Sequence, residues 1–205
     1  MAQDAIVVED LVYAYGDLVA VDHISFKVAE GEILGFLGPN GAGKTTTVKM
    51  LTGQLKPKGG KAQVLGMDVA RDAGKIRGEI GVCFEQTNLY EQMSALENLQ
   101  LFARLFGISG FDGQALLKRV GLAGREKDRV EGYSKGMKQR LMVARSLVNR
   151  PRILFLDEPT AGLDPASAEA ICSIILEERA RGATVFLTTH DMMEADQLSN
   201  RVAFM

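Results

Sequence analysis

Residues 38–46, GPNGAGKTT, constrain the fold of this chain more than any other stretch of its sequence. They match the pattern G-x-x-x-x-G-K-[ST] and lie between an apolar run at residues 32–37 and a stretch with helical spacing at residues 45–55. Glycines let successive backbone N–H groups turn inward, and the following helix adds the positive end of its dipole. The pattern therefore predicts a strand–loop–helix unit that binds a polyphosphate.

Within this loop, two side chains have specific chemistry. Lys44 is expected to neutralise the β- and γ-phosphates, and the hydroxyl of Thr45 is expected to bind Mg²⁺. The other residues expected to contact the nucleotide are Gly38, Asn40, Gly41, Ala42, Gly43 and Thr46. The alternative, a glycine-rich turn with a chance lysine, is disfavoured because the motif is complete and its flanks have the right patterns.

A second motif places two acids directly after the buried run ILFL at residues 153–156. Asp157 is expected to be the carboxylate on the metal side, acting partly through water. Glu158 is expected to activate or orient the water that attacks the γ-phosphate. A solvated loop start is the alternative interpretation. A simple nucleotide kinase has no need to activate water, so Glu158 favours a hydrolase.

The hydrophobic pattern predicts an α/β fold. Apolar runs at 32–37, 153–156 and 184–188 are typical of strands that are buried on both faces in a parallel sheet. Alternating residues at 5–15 and 24–28 predict antiparallel strands at the start of the fold.

Residues 88–150 carry a purely helical pattern. A capping-box sequence at Ser94 and Glu97 starts one helix, and a second begins near Ser134 and cannot continue past Pro151. We expect a helical subdomain, residues 88–150, inserted into an α/β core made of residues 1–87 and 151–205.

Four further segments match motifs of one protein family, and they occur in the order in which that family carries them. Gln86 lies in FEQTN, residues 133–140 read YSKGMKQR, residues 161–164 read AGLD, and His190 follows LTT. With the two motifs above, the chain resembles the ATP-binding subunits of ABC transporters over essentially all 205 residues. Tyr15, just before a glycine, is similar to the aromatic residue on which this family stacks adenine.

The resemblance implies a P-loop NTPase with a mostly parallel central sheet, an N-terminal antiparallel β subdomain and the inserted helical subdomain. It implies that Glu158, His190 and Gln86 are catalytic, with ATP and Mg²⁺ as cofactors. Asp157, Thr45 and Gln86 would hold the metal. Three alternatives stay open: Tyr13 as the stacking residue, Gln86 as a surface amide, and His190 as a capping or core histidine.

The resemblance also implies a dimer. In this family the signature segment of one subunit completes the ATP site of the other, so Ser134, Gly136 and Asp164 are expected to act across a head-to-tail homodimer or heterodimer. Gln86 would relay the ATP-driven motion to membrane permease subunits docked on the helical subdomain. Lys135 departs from the family's usual glycine; it would add charge near the γ-phosphate or, as we favour, point to solvent.

The charge and hydropathy of the chain limit the kinds of partner that it is expected to bind. With 24 Lys+Arg against 26 Asp+Glu, the net charge of -2 disfavours a dedicated nucleic-acid binder. No apolar run approaches the roughly 18 residues that a membrane-spanning helix needs. The N-terminus lacks the pattern of a signal peptide. We therefore expect a cytoplasmic protein, and the permease partners that the resemblance implies would place it peripherally on the cytoplasmic face of the membrane. We read Cys83 and Cys172 as small buried hydrophobes.

The function expected on these grounds is an ATPase that powers transport. The sequences of residues 38–49 and 101–107 resemble those of ATPases of drug, lipid or polysaccharide exporters more than those of importer ATPases. The alternative is a soluble ABC-type ATPase acting on ribosomes or nucleic acid, but such relatives usually carry two cassettes, coiled-coil insertions or zinc-binding cysteines. Residues 201–205 read as part of a strand after which the family normally continues, so we expect further strands beyond them.

Overall fold

The computed structural model describes residues 3–205, and it contains two sheets with helices around them. The strands are β1 (Asp4–Tyr15), β2 (Leu18–Ala29), β3 (Ile33–Leu37), β4 (Gly59–Val64), β5 (Met67–Asp68), β6 (Ile80–Cys83), β7 (Ile153–Asp157), β8 (Thr184–Thr189) and β9 (Arg201–Phe204). The α-helices are α1 (Lys44–Leu51), α2 (Ala73–Glu79), α3 (Ala95–Leu105), α4 (Gly113–Arg119), α5 (Lys135–Ser146), α6 (Pro165–Ala180) and α7 (Met192–Leu198).

The central sheet is parallel and has the strand order β6-β7-β8-β3-β9. Every residue of β3, β7 and β8 is buried, as the three apolar runs predict. Because the strands run in the same direction, their carboxyl ends meet at one edge of the sheet. The loops that follow β3, β6, β7 and β8 therefore start close together.

The second sheet is antiparallel, with the order β2-β1-β4-β5. The predicted strand at residues 24–28 was too short, because β2 already begins at Leu18. A tight turn at Gly16, whose φ is +58°, lets β1 reverse directly into β2. The sequence pattern missed this because Leu18 and Val19, both exposed, do not alternate with polar neighbours.

Two helix predictions also need correction. Helix α1 ends at Leu51 rather than at residue 55, because the left-handed Gly53, with φ of +69°, stops the helical path. Residues 88–150 are not purely helical: α3, α4 and α5 are joined by long irregular loops with one short 3-10 turn at Val130–Gly132. The capping box at the start of α3 forms as predicted, with Ser94 and Glu97 bonding each other's backbone N–H.

The core has two parts, one on each face of the parallel sheet. One part packs residues of α3, α5 and α6 against β6, β7 and β8, and it includes Cys83. The other part fills the space between the two sheets around tilted rings of Phe26, Phe36, Phe155 and Phe186. Within residues 3–205, no helix is both long and apolar enough to cross a membrane.

Candidate functional site

The loop after β3 wraps around its own lysine. Gly41 and Gly43 have φ of +85° and +101°, so the backbone turns tightly before α1 begins at Lys44. A Cβ atom at Gly43 would lie 2.2 Å from the carbonyl oxygen of Ala20, so no larger residue fits there. The ammonium of Lys44 donates to the carbonyl oxygen of Gly38 at 2.7 Å. The loop thus forms a cradle of backbone groups around a buried positive charge.

Lys44 and Glu158 form a buried ion pair across this cradle. The Lys44 ammonium lies 3.2 Å from Glu158 Oε1, and the two side chains are only 6% and 7% exposed. Because Glu158 Oε1 makes no hydrogen bond of good geometry, the contact is an ion pair and leaves that oxygen free to accept a bond. The other oxygen, Oε2, lies 2.8 Å from His190 Nδ1. Three of the predicted site residues are therefore in direct contact.

The backbone of Glu158 has a conformation that L-residues rarely adopt. Its φ is +52°, in the left-handed region, and its N–H donates to the carbonyl oxygen of Thr188 on the neighbouring strand β8. Strain of this kind, about 1 kcal/mol or more, persists where surrounding contacts impose it. Here it turns the carboxylate from the end of β7 toward Lys44.

Asp157 is held between two hydroxyl groups. Its Oδ2 accepts a hydrogen bond of 2.7 Å from Thr45, and its Oδ1 accepts one from Thr188. A hydroxyl beside a buried carboxylate at a phosphate-binding loop fits Mg²⁺, which takes few protein oxygens and completes its shell with phosphate and water. Residues 3–205 contain no cluster of three or more His, Cys, Asp and Glu side chains suited to a metal.

Gln86 lies on the loop after β6. It is exposed, and it lines a cleft of about 360 Å³ together with Thr45, Lys49 and Asp157. This cleft adjoins the one that contains Tyr15, since Thr45 and Glu85 line both. The structure therefore brings Gln86 to the predicted metal side of the site.

Tyr15 lies at the end of β1 and lines a second cleft, of about 340 Å³, with Asn40, Lys44 and Glu158. Its side chain is 47% exposed. The ring of Tyr13 packs edge-on against that of Tyr15, with centroids 4.9 Å apart, and does not line the cleft. Of the two candidates, the structure favours Tyr15 for stacking on a base.

Replacing Tyr15 with Ala is expected to weaken ATP binding about fivefold or more, because stacking on an aromatic ring stabilises a bound base by about 1–3 kcal/mol. Tyr15→Phe should retain the affinity, since it keeps the ring. Fluorescence titration with a nucleotide analogue measures both, with Tyr90→Ala, another exposed tyrosine, as the control. Unchanged affinity in Tyr15→Ala together with a loss in Tyr13→Ala would transfer the role to Tyr13.

Ser134, Gly136 and Asp164 lie together at the first turns of α5 and α6. Ser134 caps α5 by accepting from the N–H of Met137, and Asp164 caps α6 by accepting from Ser167. The hydrogen bond with Ser167 also lowers the pKa of Asp164. A Cβ at Gly136 would lie 2.4 Å from Ser167 Oγ, so the two helix starts are in close contact. None of the three predicted residues lines the cleft that contains Tyr15 and Lys44.

Lys135 agrees with the favoured expectation in its exposure, but it makes a contact that the sequence did not predict. Its side chain is exposed, but its ammonium donates a 2.8 Å hydrogen bond to the carbonyl oxygen of Ala161. A Cβ at the adjacent Gly162 would lie 2.5 Å from this ammonium, so the glycine leaves room for it. Lys135 thus ties the start of α5 to residues 161–164 of the same chain.

Sequence reasoning missed three polar residues around this site. Thr188 bonds both Asp157 and the backbone of Glu158. Its sequence signal is a threonine that directly follows the apolar residues of a buried strand. Thr160 donates a 2.6 Å bond to the buried carboxylate of Glu194 in α7. Burial raises the pKa of Glu194. The sequence signal for Glu194 is an acid on an apolar helix face, four residues after His190. This signal can be recognised only when the position of α7 is known.

Comparison with known proteins agrees with this geometry. The family model described as ABC transporter matches residues 21–161. A fluoroquinolones export ATP-binding protein of Mycobacterium tuberculosis (strain H37Rv) is 50% identical over 185 residues, which are 90% of this chain and 62% of that protein. A daunorubicin resistance ATP-binding protein of Streptomyces coeruleorubidus is 42% identical over 99% of this chain and 66% of its own length. The chain thus spans less than two thirds of the length of the first of these relatives.

Solved structures show the same fold. A structure described as the ATP binding subunit of an ABC transporter has a TM-score of 0.89 and 30% identity, covering 98% of this chain and 85% of the other. A nucleotide-free ATP-binding cassette from an ABC transporter, at 23% identity, has a TM-score of 0.85 and supports the fold alone. From its motifs, its fold and these matches, the chain belongs to the ABC transporter family of ATP-binding proteins.

Proposed function

We propose that this chain binds and hydrolyses ATP to power an ABC transporter that exports a drug, lipid or polysaccharide-type substrate. The observation that carries the proposal is the contact of Lys44, Glu158 and His190 next to Asp157 and Thr45. The two relatives described above are named for drug export or drug resistance, which supports the direction of transport.

ATP binding exchanges one set of contacts for another. The inward-facing N–H groups of the phosphate loop take the phosphates, while Lys44 leaves Glu158 for the β- and γ-phosphate oxygens. Tyr15 stacks on the adenine. Mg²⁺, when bound with the nucleotide, would neutralise phosphate charge, and Thr45, Asp157 and Gln86 would hold it, partly through water.

Hydrolysis then uses the carboxylate that Lys44 has released. Glu158 accepts a proton from the water that attacks the γ-phosphorus, while the bond from that phosphorus to the ADP oxygen breaks. His190 orients Glu158 through its Oε2 atom, at 2.8 Å. The products are ADP and inorganic phosphate.

A second copy of the chain, or a similar subunit, completes each site. Ser134 and Gly136 lie at the positive end of α5, which suits a phosphate presented by a facing subunit. Asp164 would contact the facing subunit from the start of α6. The γ-phosphate thus joins two subunits, and its loss on hydrolysis favours their separation.

The membrane partner is proposed to dock on residues 88–150, peripheral to the cytoplasmic face of the membrane. Apolar side chains at the two ends of α3 support this, since Tyr90, Leu105 and Phe106 are all exposed. Leu105 is 70% exposed and Phe106 beside it is 39% exposed, so two consecutive apolar side chains face outward at the end of α3.

The test is co-purification of the full-length protein from detergent-solubilised membranes, with Mg-ATPase assayed on the product. We expect an integral membrane protein to accompany it, and Leu105→Asp to reduce that recovery severalfold. Leu176→Asp, which changes an exposed leucine on α6, is the matched control. Sedimentation of the wild-type protein with ribosomes instead of membranes would favour the soluble ABC-type ATPase.

A further inference from the structure

Arg145 is a buried charge without an acidic partner. It lies near the C-terminal end of α5 and is only 6% exposed. Among the residues that the structure describes, no carboxylate lies within ion-pair distance of it, and burial lowers its pKa. An unpaired buried arginine is costly unless its N–H groups are used, so its contacts are informative.

The Arg145 guanidinium donates hydrogen bonds to a single residue of the loop after β6, Asn88. Its Nη1 donates a 2.7 Å hydrogen bond to the backbone carbonyl oxygen of Asn88, and its Nη2 donates to the side-chain oxygen of the same residue. The guanidinium carbon also lies over the ring of Phe102, 4.6 Å from its centroid. A forked donor that also stacks is available from arginine and not from lysine.

Asn88, the residue that Arg145 bonds, is two positions from Gln86 in the sequence. A second anchor follows, because the buried side chain of Asn98 in α3 bonds both the N–H and the carbonyl oxygen of Tyr90, each at 3.0 Å. The residues from Glu85 to Thr87 are exposed, as is Asn88, so hydrogen bonds rather than burial hold this loop at residues 88–90. The loop is thus fixed to the helices at residues 88–90, while Gln86 extends from that anchor toward the cleft with Thr45 and Asp157.

Helix α5 joins this anchor to the opposite functional end of the helix. Ser134, the N-cap of α5, is one end, and Arg145 is on the last turn of its 12 residues. A helix of this length extends about 18 Å and moves as a rigid unit. Through the bonds of Arg145, this one element connects Ser134 to Asn88.

We propose that Arg145 is a positioning residue that makes α5 a rigid link between two ATP sites. Engagement of Ser134 by the nucleotide of a facing subunit moves α5, and Arg145 carries the loop with Gln86 into this chain's own site. This proposal rests on the proposed function, but the hydrogen bonds between Arg145 and Asn88 can be tested without ATP.

The first experiment is hydrogen–deuterium exchange of the nucleotide-free full chain, read by mass spectrometry over residues 84–90. Arg145→Met keeps an unbranched apolar chain but removes the forked donor. It should accelerate exchange of the Tyr90 amide, which donates to Asn98 Oδ1 within this segment, about tenfold. The control is Arg140→Met on the same helix, whose guanidinium bonds the carbonyl oxygens of Val120 and Gly121 instead. Wild-type exchange in Arg145→Met would overturn the proposal.

Variants of the exposed Asn88 keep the test independent of core packing. Asn88→Asp retains an acceptor for Arg145 and should retain the slow exchange, whereas Asn88→Leu has a similar shape, cannot accept and should lose it. Asn88→Leu keeps the backbone carbonyl that Nη1 bonds, so wild-type exchange in both Asn88→Leu and Arg145→Met would overturn the proposal.

The second experiment measures ATP turnover against ATP concentration. Arg145→Met should lower kcat severalfold and bring the Hill coefficient toward 1, while the Kd of the isolated chain for Mg-ATP stays unchanged. A rise in Kd with an unchanged Hill coefficient would show a local structural role and overturn the link. Absence of turnover in the wild type would instead refute the proposed function, and the exchange result would still decide on Arg145.

Discussion

Replacing Glu158 with Gln is expected to lower ATP turnover by about 10²–10⁴-fold, the range that a positioned general base contributes. Gln has the same shape but cannot accept the proton of the attacking water. It also removes the negative charge that lies 3.2 Å from the Lys44 ammonium, so Lys44 is released toward the phosphates. ATP binding should therefore persist or become tighter while hydrolysis stops.

Phosphate release at saturating Mg-ATP measures the loss, and light scattering should show that the variant accumulates as an ATP-bound dimer. Glu169→Gln, which changes an exposed acid on α6, is the matched control and should hydrolyse ATP normally. Near-normal phosphate release by Glu158→Gln would contradict the role of this residue.

Replacing Lys44 with Ala is expected to weaken Mg-ATP binding by well over tenfold. The substitution removes a buried ammonium that would make charge-assisted bonds to two phosphates, each typically worth about 1.5–3 kcal/mol. It also leaves the carboxylate of Glu158, only 7% exposed, without its positive neighbour and facing the incoming phosphates. Both effects act against the nucleotide.

Isothermal calorimetry measures this affinity, and thermal unfolding of the apo protein checks that the variant is folded. Lys61→Ala on β4 removes an exposed lysine and should bind as the wild type does. Binding of Mg-ATP to Lys44→Ala with unaltered affinity would refute the phosphate-loop assignment.

The parts of the fold that the sequence predicted are those encoded in short, local patterns. The fully apolar runs of β3, β7 and β8 indicate burial on both faces, and the motif around Lys44 places a loop between a strand and a helix without reference to the rest of the chain. The acids Asp157 and Glu158 were found for the same reason, since they directly follow a recognisable strand.

What could not be predicted depends on contacts between distant segments. Strands β4 and β6 carry weak patterns and take their conformation from the sheets they join, and α2 from the strands it packs against. The position of Lys135 depends on where residues 161–164 pass α5. The pairing of Lys44 with Glu158 brings together residues that only the parallel register of β3, β8 and β7 makes neighbours.

The strand order has a consequence for how the protein is made. β3 ends at Leu37, yet both of its partners in the sheet, β8 and β9, lie at residues 184–204. At ribosomal rates of about 5–20 residues per second, an apolar strand stays without hydrogen-bonding neighbours for about 7–30 s during synthesis. Unpaired apolar edges invite aggregation. The nascent chain therefore depends on chaperones or on temporary non-native cover for this segment until β8 has emerged.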